Sequence, residues 1–437
     1  MYIPEFASEM LKKLNSAGFS AYLAGGCVRD GVMGNCPHDY DITTSASPEE
    51  IIALFGVHCC KAYGRAFGTV GVSYAGGFAE ITTFRTEGSY HDRRHPSDVQ
   101  FTSDILEDLS RRDFTWNAMA YHPEEGLLDP FGGREDLQTR TLRAVGVPQT
   151  RFQEDALRVL RAMRFMSRFG FVAEPMTDAA MRAEAGGLAF ISAERLFSEL
   201  CGILMGKYAA SVLLTYPHIL SVFIPEIRPC IGFSQHSRHH DFTVWEHISR
   251  AVGAAPALLP VRLAMLMHDI GKPVCYTNDA RGGHFKRHAD VSADLADRIL
   301  LRLRCDNALR KQVVRLIRYH RDIPTTLPKV RRLLGELGGD YDLLMEVLRA
   351  DHLSKKRGEP EHDTRPETAR QLGEYCRKEG LCCELSQLAL KGDDLAAMGF
   401  SGKEIGQGLR LLLEAVTAGF CQNDADALTN YLRKIMK

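Results

Sequence analysis

The sequence predicts an α+β head followed by an all-α remainder. Three observations carry that division. Near the N-terminus, short β-like apolar runs alternate with glycine turns and helical stretches. Residues 140–168 turn helical and arginine-rich, and after about residue 210 the composition shifts again, toward histidine. The expected domains are a head over residues 1–140, a helical neck over 141–210, a helical domain over 211–360 and a helical tail over 361–437. A chain of 437 residues is long enough for several well-buried cores. Its 54 Lys+Arg nearly cancel 55 Asp+Glu, so no global field draws a polyanion and any basic surface has to be local. The 12 cysteines form no C-x-x-C pair, and the doublets Cys59-Cys60 and Cys382-Cys383 are poor disulfide partners. Without a signal-like N-terminus, a reduced, cytoplasmic protein is expected. Pro260 and Arg262 interrupt the most apolar stretch, so no membrane segment is expected.

Residues 4–17 read as an amphipathic helix, with Phe6, Met10, Leu11 and Leu14 on one side and Gly18 as its stop. Next, the apolar run 21–24, Gly25-Gly26 and a helix over 27–33 form a strand, a turn without side chains and a helix N-terminus. Free N–H groups at such a terminus hold phosphate oxygens. Arg29 lies in the first turn, where its planar fork suits the same phosphates. Asp39 and Asp41 follow in a stretch read as extended, where residues i and i+2 face one side. Two ionised carboxylates so close repel unless a cation lies between them. Hard oxygen ligands in a pair suit Mg²⁺, which is commonly completed by substrate phosphates. Such a metal activates an attacking hydroxyl and steadies a leaving pyrophosphate. Ser47-Pro48-Glu49-Glu50 opens the next helix with a capping box and a proline at its first position. Residues 70–74 and 78–84 read as strands joined across Gly76-Gly77, with Glu80 in the second. The polar, aperiodic residues 86–98 form a loop, and Asp129 to Gly133 a turn that closes the head.

The order Gly-Gly-x-x-Arg-Asp, then Asp-x-Asp, resembles the active-site signature of nucleotidyltransferases of the polymerase-β superfamily. More narrowly, it resembles class II CCA-adding enzymes and bacterial poly(A) polymerases. The resemblance implies a polymerase-β-like head with a small mixed sheet, with Gly25 and Gly26 at the nucleotide. It makes Asp39 and Asp41 the catalytic, magnesium-holding pair, and Glu80, ahead of Ile-Thr-Thr-Phe-Arg, the third carboxylate. It also makes residues 86–98 a mobile loop beside the site, with Arg93 and Arg94 near phosphate. A second signature runs from Arg111 to Ala120 (Arg-Arg-Asp-Phe-Thr-Trp-Asn-Ala-Met-Ala). In the family its second arginine and its asparagine serve nucleotide and ribose recognition, which assigns Arg112 and Asn117. An amide can bond a sugar hydroxyl while a guanidinium takes triphosphate oxygens. Trp116 stands where relatives often carry an aliphatic residue, a change of packing.

Within residues 140–168 there are seven arginines, no lysine and two acids, Glu154 and Asp155. On a helical wheel Ala156, Val159, Leu160, Met163 and Met166 form an apolar stripe; Arg158, Arg161, Arg164 and Arg168 lie opposite, with Asp155 at the edge. A solvated arginine face satisfies this pattern, but arginine without lysine favours planar, bidentate recognition. Cytosine and adenine both present an amino donor beside a ring-nitrogen acceptor. Asp155 can accept from the first while Arg158 donates to the second; uracil and guanine present the reverse. A well-formed bidentate contact is worth about 1–3 kcal/mol of discrimination. The run Glu-Asp-x-x-Arg-x-x-Arg-x-x-Arg-Phe is similar to the amino-acid template of class II CCA-adding enzymes. This likeness implies Asp155 and Arg158 as base readers, with Arg161 and Arg164 as nucleotide or phosphate contacts. The well-capped helix start from Ser192 to Glu199 resembles the family's next element.

In the second half, His247, then His268-Asp269-Ile270-Gly271-Lys272, then Asp351 resemble the HD superfamily of metal-dependent phosphohydrolases. There two His and two Asp bind one divalent metal. Imidazole with carboxylate suits Zn, Mn, Ni or Fe better than Mg; His288 and His320 extend the set. Gly399 to Gly406 places glycines before a tail helix from Lys403, whose N–H groups can hold RNA phosphate. Together the likenesses imply template-independent addition of CCA to the 3′ end of tRNA from CTP and ATP, with Mg²⁺ in the head and pyrophosphate released. No template nucleic acid and no membrane is expected as a partner. Rivals are a poly(A) polymerase, an enzyme restricted to CC or A addition, and a metal-dependent phosphohydrolase whose head only binds RNA.

Overall fold

The structure, a computed structural model, describes residues 2–64, 67–87, 99–236, 241–279, 282–356 and 364–435. Arg93 and Arg94 lie outside the described residues. The chain divides into two compact units: Met1–Tyr208 with His218–Phe223, and Ala209–Pro217 with Ile224–Lys437.

The first unit is α+β, built on a mixed sheet. Helix α1 (Glu5–Ser16) buries Ala7, Met10, Leu11 and Leu14. It is followed by β1 (Ala21–Ala24), α2 (Gly26–Val32), β2 (Asp41–Thr44), α3 (Pro48–Phe55), β3 (Cys60–Gly64), β4 (Thr69–Tyr74) and β5 (Gly77–Thr83). A small ribbon, β6 (Arg85–Glu87) with β7 (Val99–Phe101), and α4 (Ile105–Ser110) lead to β8 (Ala120–His122) and β9 (Gly126–Leu128). The seven-stranded sheet runs β3-β4-β5-β2-β1-β8-β9. Within this sheet, among the described residues, only β2 and β5 pair in parallel, which sets Asp41 directly opposite Glu80. Helix α3 opens with the expected capping box between Ser47 and Glu50.

The β4–β5 turn sits one residue earlier than expected. Tyr74 pairs with Gly77, so the turn residues are Ala75 and Gly76, at φ +49° and +80°. Positive φ at both positions matches the twist of a two-residue hairpin. Gly77 belongs to the strand and has to be glycine there, because the Phe6 ring occupies the place of its Cβ.

Helices α5 (Gly133–Gln138), α6 (Pro148–Glu154), α7 (Leu157–Phe169), α8 (Pro175–Glu184) and α9 (Ala193–Met205) complete this unit. The sequence read residues 154–165 as one helix; the structure breaks it. Asp155 is extended (φ −136°, ψ +103°) between α6 and α7, and its Oδ1 accepts from the Leu157 N–H at 3.0 Å. An Asp that bonds its own downstream backbone competes with helix continuation. Helix α7 buries Val159, Leu160, Met163 and Met166 as expected. It crosses α9 closely at Gly206, where a Cβ would strike Ser167, whose hydroxyl donates to the Ile203 carbonyl. Ser192 stands at the N-cap of α9 but makes no side-chain capping bond. Trp116 is fully buried; its ring lies 4.7–6.3 Å from those of Phe114, Phe165, Phe169 and Phe171.

Among the described residues, the second unit is helical apart from a two-stranded ribbon, Tyr276–Asp279 with Gly282–Phe285. The tail has its own core of Leu388, Leu395, Leu412, Val416, Leu428 and Leu432. Its helix Lys403–Ala418 starts where expected, yet Glu404 already accepts from the Ser401 N–H at 3.0 Å, placing an anion at that terminus. Among the described residues, no helix is long and apolar enough to cross a membrane.

Candidate active site and candidate metal centre

The first unit encloses a cavity of about 600 Å³. Gly25, Gly26, Arg29, Asp41, Glu80, Arg112, Asn117, Asp155, Arg158, Arg161 and Arg164 all line it. Asp39 does not. It lies in an exposed bend, and β2 begins only at Asp41, so the alternation expected of an extended pair does not apply. Between them Tyr40 is buried edge-on to Phe6, which turns the chain. Asp39 still acts on its neighbour through charge. Burial first, then Glu80 and Asp39, push the Asp41 carboxyl above its ordinary range, against the opposing pull of Arg112.

Gly25 has φ +72°, and a Cβ there would stand 2.9 Å from Arg112 Nη1. The turn therefore needs glycine for its backbone and for the guanidinium folded over it. Arg112 donates from Nη2 to Asp108 Oδ2 at 3.1 Å and from Nη1 to the Asn117 carbonyl at 3.4 Å. Asp108 is fully buried; it also accepts from Arg111 at 2.7 Å and from the Thr43 hydroxyl at 3.2 Å. Burial works against its charge, but the two guanidinium groups outweigh it and hold the carboxyl below the usual range.

Asp113 does the same one turn later. Its Oδ2 accepts from Arg161 at 2.8 and 2.6 Å, and its Oδ1 from Asn117 Nδ2 at 2.9 Å. Asn117 Oδ1 in turn accepts from Arg29 Nη1 at 3.1 Å. Arg29, expected to point at phosphate, donates to Asp30 and rests 5.2–5.7 Å from the rings of Trp116, Phe165 and Phe169. The arginine face of α7 is likewise paired: Arg158 with Glu154 at 3.1 Å, Arg161 with Asp113, Arg164 with Glu199 at 2.8 Å. Asp155 Oδ2 accepts from Arg195 Nη2 at 2.9 Å. Asp108, Asp113, Arg195 and Glu199 were not singled out from sequence. Asp113, Arg195 and Glu199 sit inside motifs already recognised, and only Asp108 had no spacing signal.

In the second unit His247, His268, Asp269 and Asp351 converge, with ligand atoms all within 4.8 Å of one another. They come from the helices Val244–Ala254 and Tyr341–Leu353 and from the end of Leu259–Met267. His247 Nε2 lies 3.1 Å from Asp351 Oδ1 and 3.2 Å from Asp269 Oδ2.

Residues 21–143 match the model of the poly A polymerase head domain, 170–231 that of the probable RNA and SrmB-binding site of polymerase A, and 242–379 that of the HD domain. The chain thus carries, in order, a stretch similar to a poly A polymerase head and one similar to an HD domain. A CCA-adding enzyme of Staphylococcus epidermidis is 44% identical over 203 residues, 46% of this chain and 50% of that one. Another, of Geobacillus thermodenitrificans, is 44% identical over 217 residues, 49% and 53% of the two chains. The chain thus aligns with about half the length of the curated relatives it matches. A crystal structure of the Bacillus stearothermophilus CCA-adding enzyme in complex with CTP aligns over 99% of this chain and 98% of its own, at TM-score 0.70 and 27% identity. The Thermotoga maritima CCA-adding enzyme complexed with tRNA shares the fold at TM-score 0.63 and 19% identity, over 98% of this chain and 94% of its own.

Both domain families use divalent metals, and the donors present fit them. In the head, Asp41 and Glu80 are accessible hard-oxygen ligands on adjacent strands. In the HD domain, His268 Nδ1 faces the Met265 carbonyl at 2.8 Å and His247 Nδ1 the Ser354 carbonyl at 3.2 Å. A carbonyl only accepts, so each Nδ1 carries a proton, which leaves Nε2 as the atom aimed at the carboxylates and available to a metal once it is deprotonated. Without a metal, burial opposes charging His268, yet Asp269 and Asp351 raise it to about 9. That proton marks where a cation is favoured.

Proposed function

We propose that this protein adds CCA to tRNA 3′ ends without a nucleic-acid template, consuming CTP and ATP and releasing pyrophosphate. The observation that carries the reading is a single cavity that joins the Asp41–Glu80 pair to Asp155 and Arg158, groups from distant parts of the chain. Likeness to CCA-adding enzymes, one of them bound to CTP, supports it. Asp41 and Glu80, with Asp39 adding negative charge from the bend before β2, would hold Mg²⁺, which would activate the terminal hydroxyl of tRNA and neutralise the triphosphate. Arg112 and Asn117, oriented by Asp108 and Asp113, take triphosphate and ribose; Gly25 and Gly26 let the nucleotide approach the backbone. Arg161 and Arg164 face the phosphates. Arg195 orients Asp155 and Glu154 orients Arg158, so the base-reading pair is held before a nucleotide arrives.

In this reading the head (1–140) carries the chemistry and the neck (141–210) reads the base. The helical domain (211–360) carries the HD site, and the tail (361–437) grips tRNA. All twelve cysteines are free, which supports a reducing, cytoplasmic setting. The HD tetrad supports a second activity, phosphoester hydrolysis with a transition metal such as Zn, Mn, Ni or Fe.

One panel tests these assignments. Transcripts of tRNA lacking CCA, incubated with CTP, ATP or both, gain three nucleotides only with both. Tails made from ATP alone on any RNA identify a poly(A) polymerase, and a product stopping after CC or needing a CC end identifies a partial enzyme. Asp155→Ala relaxes rejection of UTP and GTP by roughly 5- to 150-fold, the equivalent of about 1–3 kcal/mol; unchanged rejection would remove the base-reading role. His268→Ala leaves extension intact and abolishes hydrolysis; a loss of extension instead would assign the main activity to the HD domain.

A further inference from the structure

We infer that Arg168, at the far end of the α7 arginine face, is a further substrate-binding residue that takes a phosphate group entering the head cavity. Four guanidinium groups of α7 line that cavity: Arg158, Arg161, Arg164 and Arg168. The first three are each committed to a carboxylate. Arg168 is exposed and, among the described residues, has no carboxylate within ion-pair distance. At about 1.5 Å per residue it stands roughly 15 Å along the helix from Arg158, out of reach of a base held at Asp155 and Arg158.

The guanidinium is supported without being neutralised. It lies 5.0 Å from the Phe169 ring, whose plane is 7° from that of Phe165. Arg29, in the helix that follows the Gly25-Gly26 turn, lies 5.2 Å from the same Phe169 ring. Arg168 therefore stands on the side of the cavity nearest the turn suited to phosphate. An aromatic ring orients a guanidinium and leaves its N–H donors unused.

Charge at this end of the face is also unrelieved. Arg164 and Arg168 are i, i+4 neighbours, where like charges repel. Burial chiefly, with Arg161 and Arg168 adding to it, holds the Arg164 guanidinium below its ordinary range, against the pull of Glu199 and Asp113. Arg164 cannot swing aside, because its stem fills the place a Cβ would take at Gly202 on α9. An anion at Arg168 relieves the repulsion, and the planar fork matches phosphate oxygens. The proposed reaction supplies two groups of this chemistry: the triphosphate of CTP or ATP, and the phosphodiester at the 3′ end of tRNA. The inference rests on that reading for the source of the phosphate, not for the unpaired guanidinium. A cation in the last turn of a helix also meets the helix dipole, a role that needs no ligand and is separated by its effect on stability.

The test compares full-length wild type, Arg168→Gln and Arg168→Lys. Each is titrated with inorganic tripolyphosphate in Mg²⁺ by calorimetry, and with a tRNA transcript lacking CCA by filter binding across a salt series. Arg168→Gln is expected to weaken one of the two by about tenfold, the low end for a charge-assisted bond at an exposed site. Arg168→Lys should recover part of it, and the thermal midpoint should hold. A loss on tripolyphosphate names the triphosphate, and the KM values for CTP and ATP then rise together. A loss on the transcript names the RNA strand; the log–log salt dependence then flattens by about 0.7–0.9, one phosphate contact, and the KM for tRNA rises alone. Unchanged affinity for both probes overturns the inference, as do equal losses on both, which report a diffuse field. A lowered thermal midpoint with both affinities intact overturns it too and makes Arg168 a helix-end charge. Neither titration needs catalysis, so a wild type that binds both probes yet adds no CCA defeats the proposed function and leaves the Arg168 result standing.

Discussion

Asp41→Ala is expected to lower nucleotide addition by about 10³-fold or more, on the order of 4 kcal/mol of transition-state stabilisation. Asp41 is the expected carboxylate that both begins β2 and lines the cavity, directly across from Glu80. Its removal leaves Glu80 and the outlying Asp39 to hold the cation, too few ligands at too great a spread. The fold should not suffer. A carboxyl raised above its unfolded range opposes folding at neutral pH, where it is charged. In chelator, then, the variant's thermal midpoint should equal or exceed that of the wild type. Single-turnover extension of trimmed transcripts at saturating Mg²⁺ reads the first effect, and calorimetry the second. Full activity, or a clear drop in melting temperature, would mean Asp41 is structural.

Asp113→Ala should instead cost stability, about 3 kcal/mol, the low end for breaking a buried ion pair. The carboxylate is almost wholly buried, and its loss strands the Arg161 guanidinium and one side of Asn117. Arg161 is 34% exposed, so water recovers part of the loss. The sign with pH follows from the depressed carboxyl. Burial raises it, but Arg161 and Asn117 more than offset that. The stabilisation is therefore present above the unfolded carboxyl's pKa of about 3.9 and lost as pH falls through the lower, folded value. Urea titrations of wild type and variant should differ most near neutrality and converge in acid. A constant difference down to strongly acid pH would assign the effect to packing.

Much of the head was legible because its motifs are local. A glycine turn, a helix cap and an alternating hairpin each depend on a few adjacent residues, and α3, β4 and β5 formed where the residues placed them. The errors arose where a distant group decided the local outcome. Gly77 went to the strand and not the turn, where its missing Cβ leaves room for the Phe6 ring, and Asp155 broke a helix by turning its carboxylate onto its own backbone and Arg195. The arginine face looked solvated or ligand-facing because Asp113 and Glu199, its partners, are 35 or more positions away from the residues they bind. The HD tetrad was legible only through its likeness to the HD superfamily, because His247 and Asp351 lie 104 positions apart and meet only once the helices are assembled.

The ring cluster around Trp116 sets a limit on motion. It ties the segment carrying Asn117 to the helix carrying Arg158, and Arg29 lies across it. Each aromatic pair adds about 0.5–1.5 kcal/mol beyond its buried area, so swinging the helix away from the sheet would have to prise several apart together. The segment carrying Asn117 and the helix carrying Arg158 are therefore expected to move as one body, so the stretch of cavity wall they share keeps its width when the rest of the lining adjusts.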